Sequence, residues 1–138
     1  MREILFRGKR TKTGEWVSGL LWHHTEKASS IYSDELDKHV WVHPETVGQF
    51  TGLTDKNGRK AFEHDVIMHH FSYAVGVIKY GEYRNPWNDD SYTGHVGFYV
   101  DWVTGEEHKF LRKDLGYWLN TTQIVGNIHD NPELLENP

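Results

Sequence analysis

At 138 residues with no cysteine, the chain fits one domain or two small subdomains sharing a core, and it offers neither a disulfide framework nor a thiolate metal site. Twenty acids against fifteen bases give a net charge of −5, which suits solubility and opposes sequence-independent binding to duplex nucleic acid. The mean hydropathy of −0.70 is low, but a 14% aromatic content, with six tryptophans and seven tyrosines, marks a folded chain rather than a disordered tail.

No apolar run approaches the roughly 20 residues of a membrane span. The opening holds only Ile4-Leu5-Phe6 as an apolar stretch, too short for a signal-peptide core, so a soluble intracellular protein is expected. Charge is unevenly spread. Residues 1–12 carry Arg2, Arg7, Lys9, Arg10 and Lys12 against Glu3, while the last nine residues carry Asp130, Glu133 and Glu136 with no base.

In chain order, residues 3–8 and 16–23 are predicted strands, and Thr13-Gly14 between them is a hairpin signal. In the second strand Trp16, Ser18, Leu20 and Trp22 alternate with Val17, Gly19, Leu21 and His23. Neither face is purely polar, so this hairpin is expected to be covered on both sides or to lie at an interface. Residues 25–30 read as a polar loop, Ile31-Tyr32 as a short strand, and residues 38–43 as a strand that Pro44 ends.

Residues 49–67 read as strand, turn, short strand, acidic corner and strand, with Asp55-Lys56-Asn57-Gly58 as the turn because Asn and Gly tolerate positive φ. Residues 66–71 and 74–80 form a second predicted hairpin. Residues 81–94 are the longest predicted loop, bearing Tyr83, Trp87 and Tyr92. Val96, Phe98, Val100 and Trp102 then line one face of a clear strand with period two. Residues 112–119 are a candidate helical turn and 124–128 a closing strand. Asp130-Asn131-Pro132 reads as the capped start of a short helix. The expected fold is mainly β: a small barrel or sandwich of short antiparallel strands in two packed halves, with short C-terminal helical turns. One domain over 1–138, with a subdivision at 1–50 and 51–138, is the expected organisation.

Chemistry-bearing patterns are sparse. His39 and His43 share a strand face but lie about 13 Å apart along it, too far for one ion, which leaves a cross-strand set of His24, His43 and His70 as the metal alternative. Glu63 and Asp65, two residues apart, suit acid–base work or a divalent cation, against a structural role accepting backbone N–H groups in a tight corner. Ser29-Ser30 and Thr121-Thr122 read as ordinary loop residues. No nucleophile elbow, phosphate loop or His-Glu-x-x-His run is present. The aromatic loop is the leading binding candidate, through Tyr83, Arg84, Trp87 and Tyr92, for a protein partner or a second copy of the chain. Arg7, Lys9, Arg10 and Lys12 form the alternative, a nucleic-acid contact.

Val47-Gly48-Gln49-Phe50-Thr51-Gly52-Leu53, then Asp55-Lys56-Asn57-Gly58, then Phe62-Glu63 with Asp65 and Ile67, resembles the signature of the YopX family. The opening Arg2–Gly8 segment, Thr13-Gly14-Glu15-Trp16-Val17, and the closing Ile124-Val125-Gly126-Asn127-Ile128-His129-Asp130-Asn131-Pro132 are similar to the family's two ends. The resemblance implies a β-rich protein carried by bacteriophages and prophages, acting in the cytoplasm of the bacterial host. It supplies no catalytic residues, no metal and no cofactor. It also implies that Gln49, Thr51, Gly52, Asp55, Asn57, Gly58, Glu63, Asp65, Gly126 and Asn127 are structural. One departure is His64, where the family usually has glycine; a positive φ there must be adopted by a residue with a Cβ. A non-enzymatic protein-interaction module is the leading expectation, with a nucleic-acid-binding barrel as the alternative and a metal-dependent enzyme third.

Overall fold

The computed structural model describes residues 3–85, 94–104 and 112–136. The chain divides into two compact units, Met1–Gly52 and Leu53–Pro138. Among the described residues ten strands form two antiparallel sheets, one of six strands and one of four. The mainly β expectation is thus met. Among the described residues the ladders leave both sheets open rather than closing a barrel.

Unit 1 is built from β1 (Phe6–Lys9), β2 (Trp16–Thr25), β3 (Ala28–Ser33), β4 (Lys38–Val42) and the start of β5 (Gly48–Thr54). The ten residues of β2 serve two partners: Trp16 to Gly19 pair with β1, and Leu20 to Thr25 pair with β3. Gly19 stands at the change-over, where a Cβ would meet the Tyr32 carbonyl oxygen at 1.8 Å, so only glycine lets β3 come this close. Ile31, Val40, Val42 and Phe50 are the buried apolar side chains of this unit. Each contributes on the order of 1.5–3 kcal/mol by leaving water.

Strand β4 has a second neighbour. The end of β1 returns to it through an Arg10↔Val42 bridge, Thr11 N–H donating to Trp41 O at 3.0 Å and His43 N–H donating to Lys9 O at 2.8 Å. Thr46, in the 3-10 turn Pro44–Thr46, secures the corner by accepting Lys9 N–H at 2.9 Å. Proline ends β4 as expected. Residues 25–30, however, are not a loop: β2 runs to Thr25 and β3 begins at Ala28, so Ser29 and Ser30 are strand residues, each 3% exposed. Polarity alone suggested a loop, but the strands on either side pair through these serines.

In unit 2, β6 (Lys60–Phe62), β7 (Asp65–His69), β8 (Val75–Tyr83), β9 (His95–Trp102) and β10 (Thr122–Asn127) follow the end of β5. Ala61, Ile67, Ile78, Val100, Trp102, Leu115, Leu119 and Ile124 form the core. The four-residue helix α1 (Leu115–Trp118) is far too short to hold by itself; burial of Leu115 and Leu119, four residues apart, fixes it. Strand β8 continues through Tyr83, so the long loop starts later than the sequence suggested. Thr122 is likewise no loop residue but the fully buried first residue of β10. The closing 3-10 turn Pro132–Leu135 has proline in its first turn, but Asn131 caps nothing with its side chain; its Oδ1 accepts Asn127 N–H at 3.3 Å instead.

The β5–β6 turn is set by Asp55. Its Oδ1 accepts the N–H groups of Asn57 and Arg59, both at 2.9 Å, and its Oδ2 accepts Ile124 N–H at 2.9 Å. Gly58 supplies the positive φ of 82° that the turn requires. At the acidic corner His64 takes φ 74°, as a position suited to glycine demands.

Candidate functional site

Strands β2, β3 and β4 present one face to solvent. Register places Leu20, Tyr32 and His39 in one cross-strand row and Trp22, Ser30 and Trp41 in the next. Ser30 is the buried floor, and the two tryptophans stand on either side of it, half exposed. Strands β2 and β4 are two strand spacings apart, roughly 9–10 Å, so a side chain as small as serine between two indoles leaves a gap. Each indole leans onto a histidine of the opposite strand: Trp22 onto His39 with ring centres 5.5 Å apart, and Trp41 onto His24 at 4.9 Å.

These two aromatic pairs wall a hollow of about 280 Å³ lined by Trp22, His24, Ser30, His39, Val40 and Trp41. His24 is tied down by a 3.0 Å hydrogen bond between its Nε2 and Ser30 Oγ. Tyr32 packs on His39 at 5.1 Å, and its hydroxyl donates to Asp37 at 2.5 Å, a bond that, with the carboxylate's charge, pushes the Tyr32 pKa up. Neither the Trp22 nor the Trp41 indole N–H has a partner among the described residues. From the sequence the strand carrying Leu20 and Trp22 is expected to be covered or to lie at an interface, but these residues are not named as a binding site. Its signal is a mirrored pair, Trp22-x-His24 and His39-x-Trp41, on strands that are parallel to one another across β3.

A second, smaller pocket of about 100 Å³ adjoins it, lined by Arg10, Thr11, Lys12, Lys38, Val40 and Trp41. The hydrogen bond from Thr11 to Trp41 brings the basic turn here. Arg10, Lys12 and Lys38 make no ion pair among the described residues, and Trp41 and Val40 line both hollows. The four cations expected to act together are therefore divided. Arg7 and Lys9 lie over the Trp16 ring, at 4.8 and 5.7 Å from its centre, while Arg10 and Lys12 join Lys38 beside Trp41.

Of the loop residues, Trp87 and Tyr92 lie outside the described residues. Arg84 is exposed just beyond β8. Tyr83 sits in β8, its ring stacked on His95 and Tyr99, each at 5.2 Å, and its hydroxyl donates to Asp114 at 2.5 Å. Asp114 also accepts from Asn85 at 3.0 Å and Arg112 at 2.5 Å. Burial pushes the Asp114 pKa up, but these donors and the guanidinium charge outweigh it and hold the group below the usual carboxylate range. Burial and the Asp114 carboxylate push Tyr83 up to about 12.

Glu63 and Asp65 do not share a strand face. Glu63 is in the turn before β7, and buried Asp65 accepts Phe62 N–H at 2.8 Å on its Oδ2. Asp55 is buried too; burial pushes its pKa up, but its three backbone donors and Arg59 bring it below the ordinary value. Asn127 accepts from His129 and Asp130 N–H at 3.0 and 2.9 Å, next to the bulge of β10 at Gly126. Gln49 pairs with Phe6, while Thr51 and Gly52 continue β5. Of the histidine set, His24 and His43 belong to unit 1 and His70 to unit 2. Among the described residues no group of three or more His, Asp or Glu is placed to hold a metal ion, and no helix is long and apolar enough to cross a membrane.

Two open antiparallel sheets with short helical turns before and after the last strand define an all-β protein. The chain belongs to the YopX family: the family described as YopX protein matches residues 5–136, nearly its whole length. Among solved structures, the crystal structure of protein EF1440 from Enterococcus faecalis is similar with a TM-score of 0.50 and 21% identity, over 99% of this chain and 100% of that one. That likeness is one of fold. None of the curated proteins compared matches the chain.

Proposed function

We propose that the chain is a non-enzymatic binding protein whose working surface is the open face of β2, β3 and β4. The observation that carries this reading is the pair of half-exposed indoles, Trp22 and Trp41, held apart over Ser30 with no partner for their N–H groups among the described residues. Exposed large aromatics cost solvation and are enriched where a surface is covered by a partner. Asp65, one of the two carboxylates considered for acid–base work, supports the same view, since its Oδ2 is occupied with the Phe62 N–H group. Family membership fits a protein of phage or prophage origin working in the cytoplasm of a bacterial host. The test is recovery of the tagged protein from such a host beside the Trp22→Ala/Trp41→Ala variant, with light scattering on both. A defined macromolecule or second copy retained by the wild-type chain and lost from an equally stable variant is expected. Equal recoveries from both would sink the reading.

A further inference from the structure

We propose that this face takes single-stranded nucleic acid, a base entering the Trp22–Trp41 slot and the adjoining phosphates lying on Arg10, Lys12 and Lys38. The inference rests on the binding reading above and adds its occupant. Binding a single strand without reading its sequence needs two things side by side, flat side chains for bases and a cationic track for the backbone. Here the two hollows share Trp41 and Val40, so a stacked base and a phosphate would be neighbours along one strand.

Charge complementarity selects an anion. Three cations line a pocket with no ion pair among the described residues, and Asp37, an acid near the slot, is engaged by Tyr32. The chain's net charge of −5 does not oppose this locally: Met1–Gly52 holds seven bases and seven acids, so the whole acid excess lies in the other unit. The indole N–H groups of Trp22 and Trp41, without a partner among the described residues, add donors at the rim for base or sugar oxygens. The slot excludes a duplex, whose bases are already stacked and paired. Its half-exposed walls suit a polymer passing through rather than a small molecule enclosed.

The test is fluorescence anisotropy with labelled oligothymidylate and oligouridylate of about ten nucleotides, beside a duplex of equal length and a mononucleotide competitor. Three neutralised phosphates predict a slope of log K against log salt near −2, which is roughly 20-fold weaker binding at about 200 mM than at about 50 mM salt. Trp41→Ala should weaken binding about tenfold or more, and Trp22→Phe should retain most of it. Arg10→Gln/Lys12→Gln/Lys38→Gln should flatten the salt slope towards zero. Unfolding midpoints identical to wild type certify that each variant is folded. No single-strand binding by the wild-type chain at low salt overturns the proposal. So does binding that survives Trp41→Ala, or a mononucleotide that competes as well as the oligomer. Capture of an acidic or proline-rich peptide on the same tryptophans, with no oligonucleotide bound, overturns it as well but leaves the binding reading standing. That reading falls by itself only if the double tryptophan variant recovers the same material from the host.

Discussion

The two units use tryptophan in opposite ways. In unit 2, Trp102 is 3% exposed, and its indole N–H donates to the Arg112 carbonyl at 3.0 Å. Trp118 meets it edge-on at 5.2 Å and donates to the same carbonyl at 2.6 Å. In unit 1, Trp22 and Trp41 are 54% and 51% exposed, neither donates to any of the described residues, and each packs on a histidine. A buried indole must find an acceptor or lose a hydrogen bond's worth of stability, so a satisfied N–H is the mark of a structural tryptophan. An exposed indole is solvated and can wait for a partner. The contrast separates core from exposed face in residues that are chemically identical.

The largest expected effect tests that contrast directly. Trp102→Ala should cost about 3–5 kcal/mol in urea unfolding, whereas Trp41→Ala should stay within about 0.5 kcal/mol. Equal losses at the two positions would dissolve the distinction. Next in size is Asp55→Asn. An amide keeps one acceptor and turns the other into a donor, so it opposes either Ile124 N–H or the Asn57 and Arg59 pair, a loss of about 2–3 kcal/mol. A variant as stable as wild type would remove Asp55 from its place as the holder of this turn.

The Tyr83–Asp114 contact extends the comparison to pH. Asp55 and Asp114 both have folded-state pKa values below their unfolded ones, so their contribution is complete above the unfolded value and fades as pH falls through the folded one. Asp114→Asn should cost about 1–2 kcal/mol at neutral pH and make the unfolding midpoint less sensitive to acid. Tyr83 runs the other way. Its contribution is complete below its ordinary pKa of 10.0 and is lost as pH rises towards about 12. Tyr83→Phe should therefore remove part of the alkaline destabilisation, and an unchanged pH profile in both variants would detach this network from stability.

The smallest effect is a gain. His64 holds φ 74° in the left-handed region, a strain of about 1 kcal/mol for a residue with a Cβ, and its ring meets His129 edge-on at 5.2 Å with a long 3.4 Å hydrogen bond. His64→Gly should stabilise the chain by about 0.5–1 kcal/mol, read as a higher urea midpoint. A loss instead would show that the His64–His129 contact outweighs the strain.

Most strands were legible because alternation and turn chemistry are local. The period-two row Val96, Phe98, Val100, Trp102 and the Asp55–Gly58 turn were visible from residue type alone, and both formed where expected. Ser29 and Ser30 were not, because a serine in a strand is placed by its neighbours' pairing and not by its own preference. Tyr83 illustrates the same limit: an aromatic in a polar stretch reads as a surface contact until Asp114, distant in sequence, is seen to hold its hydroxyl.

By itself the sequence determined an all-β chain without cysteine chemistry, its main turns, its family, and the glycine-like demand at His64. Tertiary structure alone decided which aromatics face water. Whether Trp22 and Trp41 meet over Ser30 depends on the register of three strands, and whether Arg10 and Lys12 lie beside Trp41 depends on the return of β1 to the edge of β4. Register follows from how buried faces and turns fit together across several strands, and the preference of a single residue does not fix it.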